Sequence, residues 1–427
     1  MSEAPLKGIR AVEIGVAMAG PYCGMLLADY GADVVKVERV GHGDESRLWG
    51  PFFPGQVSHY FAAVNRNKRS LAADLKHPDG AAVVRRLAEH ADVLIDNFRV
   101  GALEQAGLDY ETLSHANPRL IYCSISGYGA SGPRSPERAN DVAMQAFAGG
   151  MSITGEPGRG PVKMSISVAD IGAGMFGTIG ILMALEARHR TGRGQRVDTS
   201  LLEGQIAMLS YHFTAYFASG RVPQRMGSSA QGLVPYQAFE AQDEWMVVAV
   251  FTDRMWRDLC GAIGKPEWGE DLRFNSPAQR MKNREEIVAA LTDIFRRHPR
   301  AVWEEQLRAV GIPCTPVNTI DKVARDEQVS ARGMVAEVRH PLAGAMRMAG
   351  LPVKFSETPG AVGAPPPRLG EHTGEILASL GYDRDTIARY IEAEGGTAAN
   401  PSRRWQIFER LVSSPRLPSG LSPPGVR

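Results

Sequence analysis

Residues 10–38 read RAVEIGVAMAGPYCGMLLADYGADVVKVE. The stretch opens on a short β-rich run, Arg10–Ile14, and closes on another, Asp33–Glu38. Between them, residues 21–30 carry apolar side chains at helical spacing, and Pro21 suits a first helical turn. The same alternation continues. Residues 70–75, 92–95 and 120–125 read as strands, and residues 78–90 as an amphipathic helix. Strands alternating with helices predict a parallel α/β sheet, whose ligands sit at the C-terminal strand ends.

Further along, residues 167–190 and 202–219 read as long helices. Glycines 172, 174, 177 and 180 interrupt the first. Each costs about 1 kcal/mol relative to Ala in an exposed helix, so several together predict close packing against another backbone. Residues 222–319 read as a smaller α/β unit, with a strand at 245–250 and a helix at 284–297. Residues 333–350 suggest a hairpin, and residues 374–380 a last helix. From Gly395 the composition shifts to Gly, Ser, Pro and Arg, which predicts a disordered tail.

The bulk numbers bound the function. The 427 residues are 44% hydrophobic and 22% charged, with net charge +1. That length suggests two or three domains, and the charge balance gives no reason to expect nucleic acid or a membrane surface as partner. The four cysteines are scattered, which argues for reduced thiols in a cytoplasmic protein rather than disulfides or zinc. The N-terminus lacks a signal-peptide pattern, and the apolar stretch 171–185 is too short to span a bilayer.

Few motifs carry chemistry. Gly127-Tyr-Gly129-Ala-Ser-Gly132 matches GxGxxG after a strand, but Pro133-Arg134-Ser135-Pro136 follows where a dinucleotide site needs a helix. It reads as a loop. No HExxH, HxxxH or GxSxG occurs, and His212 reads as a satisfied core histidine. Basic residues follow several strands: Arg39, Arg47, Arg66, Lys68, Arg69, Lys76 and Arg99, with Asn97-Phe98 beside them. A phosphorylated ligand with an aromatic ring needs such a mixture, although each alone reads as a surface charge. Asp170 stands among small and apolar neighbours near the start of a long helix. It reads either as an acid favoured by the helix dipole or as a desolvated carboxylate able to act as nucleophile or base.

Together these segments resemble the class III CoA-transferase family. The matching stretches are AGPYCGMLLADYGADVVKVER (19–39), GDESR (43–47), NRNKRSLAADLK (65–76), VLIDNFRVGALEQAGLDYETL (93–113), NPRLIYCSISGYG (117–129), SVADIGAGM (167–175), EARHRTGRGQRVD (186–198), GIPCTPV (311–317) and LGEHTGEIL (369–377). They run in family order over residues 6–394. The resemblance implies an α/β fold in which both chain ends build a large Rossmann-like domain, here residues 1–221 completed by 331–394. A smaller middle domain covers 222–330, and two subunits interlock as a homodimer.

The resemblance also implies function. The family's nucleophile falls on Asp170, and contacts to coenzyme A fall on Arg39, Leu75, Lys76, Asn97 and Phe98. Two positions depart from the family pattern. Gln105 stands where many relatives have Arg, so a phosphate contact is lost or supplied by Arg99 or Arg138. Met18 stands where formyl-CoA transferase has Gln, which argues against oxalate as acceptor. The loop 227–232 falls on the acceptor side.

The expected substrates are an acyl-CoA and a carboxylic acid, with no prosthetic group and no metal. Succinyl-CoA with a small dicarboxylate such as glutarate, itaconate or a malate-type acid is the first expectation, and a carnitine-like or aromatic acceptor stays open. The rivals are an α-methylacyl-CoA racemase and a non-catalytic CoA-binding protein. The racemase family supplies a His in a His-Asp-Ile-Asn-Tyr motif, where this chain reads Asn140-Asp141-Val142-Ala143-Met144. An amide cannot shuttle a proton near pH 7.

Overall fold

A computed structural model describes residues 3–393. The expected tail from Gly395 lies outside the described residues. The main sheet has six parallel strands: β1 (Arg10–Ile14), β2 (Asp33–Glu38), β3 (Lys68–Ala72), β4 (Val93–Asp96), β5 (Ile121–Ser126) and β6 (Arg196–Ser200). Their order is β3-β2-β1-β4-β5-β6. The chain therefore winds outward from β1 in one direction and from β4 in the other, and the crevice between β1 and β4 is a topological switch point.

Alternation along each strand fills two cores. Val12, Ile14, Val35, Val37 and Leu94 face helix α2 (Pro78–Glu89). Ala11, Val34, Val93, Ile95 and Cys123 face helices α1 (Ala19–Asp29) and α3 (Val168–Thr191). The strand expected at 70–75 runs over Lys68–Ala72, so Leu75 follows it instead of belonging to it. Strand β6 was not anticipated. The helix expected over 202–219 is two, Leu201–Met208 and Ser210–Ser219, broken at Leu209.

The chain's end comes back to this sheet. The Gly370 amide donates to Ser70 Oγ at 2.9 Å, and the Ala72 amide to Thr373 Oγ1 at 3.1 Å. Ile376, Leu377 and Leu380 join the α2-side core. A further helix, Arg384–Ala393, follows the one expected. The middle of the chain forms a separate three-stranded antiparallel sheet from β7 (Tyr236–Glu240), β8 (Trp245–Ala249) and β9 (Cys314–Pro316). It has its own core, including Trp256, Phe239, Phe295 and Trp303. The expected hairpin is present as β10 (Val335–His340) and β11 (Gly344–Ala349).

Helix α3 is the element that carries Asp170, and its glycines are used as expected. A Cβ on Gly174 would stand 2.7 Å from the Ala19 carbonyl oxygen on α1. On Gly177 it would meet Ile125 at 2.9 Å, and on Gly180 Val197 at 2.5 Å. By length and composition α3 could also cross a membrane, contrary to the reading of its sequence as too short, but half of its most apolar window is buried against the protein. Gly174→Ala should force α3 off α1 and destabilise the fold by about 1–3 kcal/mol. Gly160→Ala is the control, since a Cβ there meets nothing within 4 Å. Equal urea midpoints for the two variants would contradict the close helix contact.

Candidate functional site

The loops after β1, β4 and β5 converge at the switch point. They line a cleft of about 420 Å³ whose walls include Val16, Ala17, Met18, Asn97, Phe98 and Arg99. Ser126 and Gly127 from the end of β5 complete that side, and Asp141, Ser167 and Asp170 face it. The sheet thus delivers its ligand edge, and α3 delivers the acid.

Asn97 ties two of these loops together. Its Oδ1 accepts from the Val16 amide and its Nδ2 donates to the Val16 carbonyl, both at 2.9 Å. A Cβ at Gly15 or Gly20 would come within 3.2 Å of neighbouring atoms, Asn97 among them, so glycine leaves room for this clasp. Next to it, Asp96 accepts from the Phe98 amide at 3.1 Å and so turns the chain after β4. Burial pushes the Asp96 carboxyl up to about 6, despite hydrogen bonds from Tyr122 and Ser124.

A chain of buried charges supports the loop after β1. Lys36 reaches Glu13 at 2.8 Å and Asp44 at 3.0 Å, and Lys68 reaches Glu13 at 2.6 Å; none of these side chains is exposed. Burial alone would lower the Lys36 ammonium, but the charges of Glu13 and Asp44 outweigh it and raise its pKa. For Lys68 burial wins and the pKa falls to about 8. The free end of the chain is Asp44, which accepts from the Ala17 amide at 3.1 Å.

Asp170 is half-buried in the first turn of α3. The helix dipole favours its charge, yet its carboxyl is pushed up to about 7, first by burial and then by the negative charge of Asp141. Asp141 is held there by the sequence around it. Asn140 caps its helix by accepting from the Ala143 amide at 3.0 Å, and Asp141 accepts from the Ala169 amide at 3.0 Å and from Gln145 at 2.7 Å. Tyr60 faces the same acid: burial and then the Asp170 charge raise its hydroxyl pKa, and it lies within hydrogen-bonding reach of Ser167. Trp49 packs edge-on against Tyr60 with ring centres 4.9 Å apart. The arrangement presents a carboxylate of raised basicity beside aromatic walls and backbone amides.

Of the residues singled out in the sequence, Met18, Asn97, Phe98, Arg99 and Asp170 meet in this cleft. Leu75 does not line it but packs, as Phe98 does, against the α2-side core. Arg39, Lys76, Gln105 and Arg138 are exposed and do not line it. Four of the basic residues taken as ligand candidates are already paired: Arg47 with Glu38, Arg66 with Asp29, Lys68 with Glu13, and Arg69 with Asp33. His212 is half-buried with its Nδ1 unpartnered, so it is no satisfied core histidine. The GxGxxG stretch is a loop with left-handed Gly129 and Gly132, as read. Trp49, Tyr60, Asp44 and Ser167 were missed. Only the proximity of GDESR to the aromatic Trp49 points towards them.

The model of CoA-transferase family III matches residues 6–373. A mouse succinyl-CoA:glutarate CoA-transferase is 36% identical over 388 residues, covering 91% of this chain and 89% of its own. A succinate–glutarate CoA-transferase from Agrobacterium fabrum is 38% identical over 391 residues, covering 90% and 97%. The crystal structure of a CAIB/BAIF family protein from Brucella suis superposes with a TM-score of 0.80 at 37% identity, covering 88% of this chain and 100% of its own. A match over nearly the whole chain, with relatives that are themselves CoA-transferases, places this chain in CoA-transferase family III as an enzyme of CoA transfer.

Proposed function

We propose that this protein moves CoA from an acyl-CoA donor to a small carboxylic acid through covalent intermediates on Asp170. The observation that carries the reading is a half-buried carboxyl, raised to about 7, in the cleft at the sheet's switch point. An Asp170 oxygen attacks the donor's thioester carbonyl and expels CoA thiolate, leaving a mixed anhydride. The thiolate attacks the Asp170 carbonyl of that anhydride and releases the donor acid, leaving an aspartyl-CoA thioester. The acceptor carboxylate then attacks this thioester carbonyl and again expels thiolate. Thiolate attacks the acceptor's carbonyl in the second anhydride, which yields the new thioester and frees Asp170. No ATP is needed, because one thioester bond replaces another.

Asn97, Phe98 and Arg99 suit the CoA side, with Leu75 on the core that Phe98 packs against and Arg39, Lys76 and Arg138 available to phosphates outside the cleft. Succinyl-CoA and glutarate are the first pair to test, because the relatives named above use them. Racemisation is disfavoured, since Asn140 is engaged in capping a helix and offers no proton-transfer group.

The same reading carries the assembly. The large domain, residues 1–221 with 331–394, is Rossmann-like, as the strand order supports. The middle domain, 222–330, is supported by its separate core. A cytoplasmic setting accords with four free, buried cysteines. Met175, Ile179, Leu182 and Met183 form an exposed apolar stripe on α3, and Ile206, Tyr211 and Phe217 are exposed as well. Such a face suits a second copy of the chain, interlocked with the first.

Brief incubation with succinyl-CoA and acid quench should leave a CoA adduct on the Asp170 peptide by mass spectrometry, absent from Asp170→Ala. No adduct with any acyl-CoA, combined with α-proton exchange in heavy water, would hand the case to racemisation. Attack needs the ionised acid, so kcat/KM should rise with pH through about 7. Asp141→Asn removes a neighbouring negative charge, lowers the Asp170 pKa, and should shift that rise to lower pH; an unmoved profile would discount Asp141. Sedimentation equilibrium should return twice the 46.2 kDa chain mass, whereas a monomer at micromolar concentration would remove the dimer.

A further inference from the structure

Asp44 is one of the buried charged groups that the proposed chemistry leaves unused. Its side chain is fully buried, and it follows β2 as the cap of a short 3₁₀ turn, Glu45–Leu48. Oδ1 accepts from the Ser46 amide at 2.9 Å and from Ser46 Oγ at 2.7 Å. Oδ2 meets the Lys36 ammonium at 3.0 Å. Both oxygens lie near the Ala17 amide, at 3.1 and 3.2 Å. Asp44's own amide donates to Glu38 at 3.0 Å, so its backbone is fixed as well.

Ala17 is the point of the arrangement. Its φ is +62°, a left-handed conformation that a residue with a Cβ adopts at a cost of about 1 kcal/mol or more. Nothing in a loop of this kind keeps such a conformation unless surrounding contacts impose it. Here the Asp44 carboxylate accepts the Ala17 amide while Asn97 holds both polar groups of Val16. Two side chains from different strand ends thus set the backbone of residues 16 and 17. Those residues, with Met18 and Ala19, form the wall of the cleft that holds Asp170. Ala19 also touches α3 at Gly174, so this wall and the helix bearing Asp170 share a contact.

We propose that Asp44 is a positioning residue: anchored by Lys36, it holds the strained Ala17 peptide and so sets the cleft wall against which the thioester's acyl group meets Asp170. The inference rests on the transferase reading above. It assigns Asp44 to the acyl-transfer step and not to binding of CoA, for which Asn97, Phe98 and Arg99, on the β4 side, are the candidates inside the cleft.

The test follows formation of the aspartyl-CoA adduct in a single turnover with succinyl-CoA, and separately titrates free CoA by calorimetry. Asp44→Ala removes the acceptor for the Ala17 amide, and the adduct should form about 100-fold more slowly, as expected for a misplacement near 1 Å. Free CoA should bind within about two-fold of wild type. Asp44→Asn keeps an acceptor oxygen and should recover most of that rate. Should Lys36, left to share Glu13 with Lys68, prevent Asp44→Ala from folding, Lys36→Met/Asp44→Ala removes that charge and should show the same slow adduct. An unchanged adduct rate in Asp44→Ala or the double variant would overturn the inference, and so would equal losses in rate and CoA affinity, the mark of a merely structural role. Absence of an adduct on the wild type would instead overturn the transferase reading itself.

Discussion

The buried line Lys68–Glu13–Lys36–Asp44 is the constraint around which the cleft is organised. Two ammonium groups and two carboxylates sit beneath α1 without solvent, where an isolated charge would be costly. They are tolerated because each is paired, and Lys36, Lys68 and Asp44 are further hydrogen-bonded. Lys36 donates to the Gly15 carbonyl at 2.7 Å, and Lys68 to Pro21, Val64 and Asn65. Replacing such a set with packed apolar groups is often neutral for stability. What apolar groups would not supply is an acceptor at Ala17 and a donor at Gly15. The charges specify the path of the loop after β1 more than they strengthen the fold. Glycine supports them too: a Cβ at Gly24 would stand 2.2 Å from the Glu13 carboxylate.

The second constraint is close backbone packing. Helix α3 lies on α1 and on β5 and β6 through faces without side chains, so Asp170 enters the cleft at a set depth. The opposite face of α3 stays apolar and exposed. A helix buried on one side and apolar on the other reads by composition like a membrane span. The packing of Gly174 and Gly177 shows why that composition is needed within the fold itself.

How much of this was legible follows from burial. Strands β1, β2, β4 and β5 are covered on both faces and read as apolar runs. Strand β6 sits at the sheet edge with alternate residues exposed and reads Arg-Val-Asp-Thr-Ser, so no run announces it. Asp170 was legible as an acid among small residues. Its neighbour Asp141 was weighed only as part of a motif, because nothing along the chain shows that residue 141 donates its charge to residue 170. Glu13 and Lys36 look like ordinary polar positions in strands. Their pairing joins residues 13, 36, 44 and 68, and only the parallel register of β1, β2 and β3 brings them together. The contact between residues 370–373 and β3 spans some 300 positions and has no local signal at all.

The raised Asp170 carboxyl bears directly on the proposed cycle. Burial and the Asp141 charge both disfavour its ionised form. One pKa unit corresponds to about 1.4 kcal/mol, so a carboxylate at neutral pH holds on the order of a few kcal/mol of unfavourable electrostatic energy. In the proposed cycle acylation removes that charge, since an anhydride or a thioester at that carboxyl is neutral. The repulsion that destabilises the resting carboxylate is thus relieved as the first covalent bond forms. Each return to carboxylate must rebuild it, which balances the covalent intermediates against the free acid and keeps the exchange reversible. A carboxylate of ordinary pKa would be ionised more readily but would be a weaker nucleophile, with less to gain from acylation. The environment that makes Asp170 reluctant to ionise therefore also favours the adducts that the proposed cycle places on it.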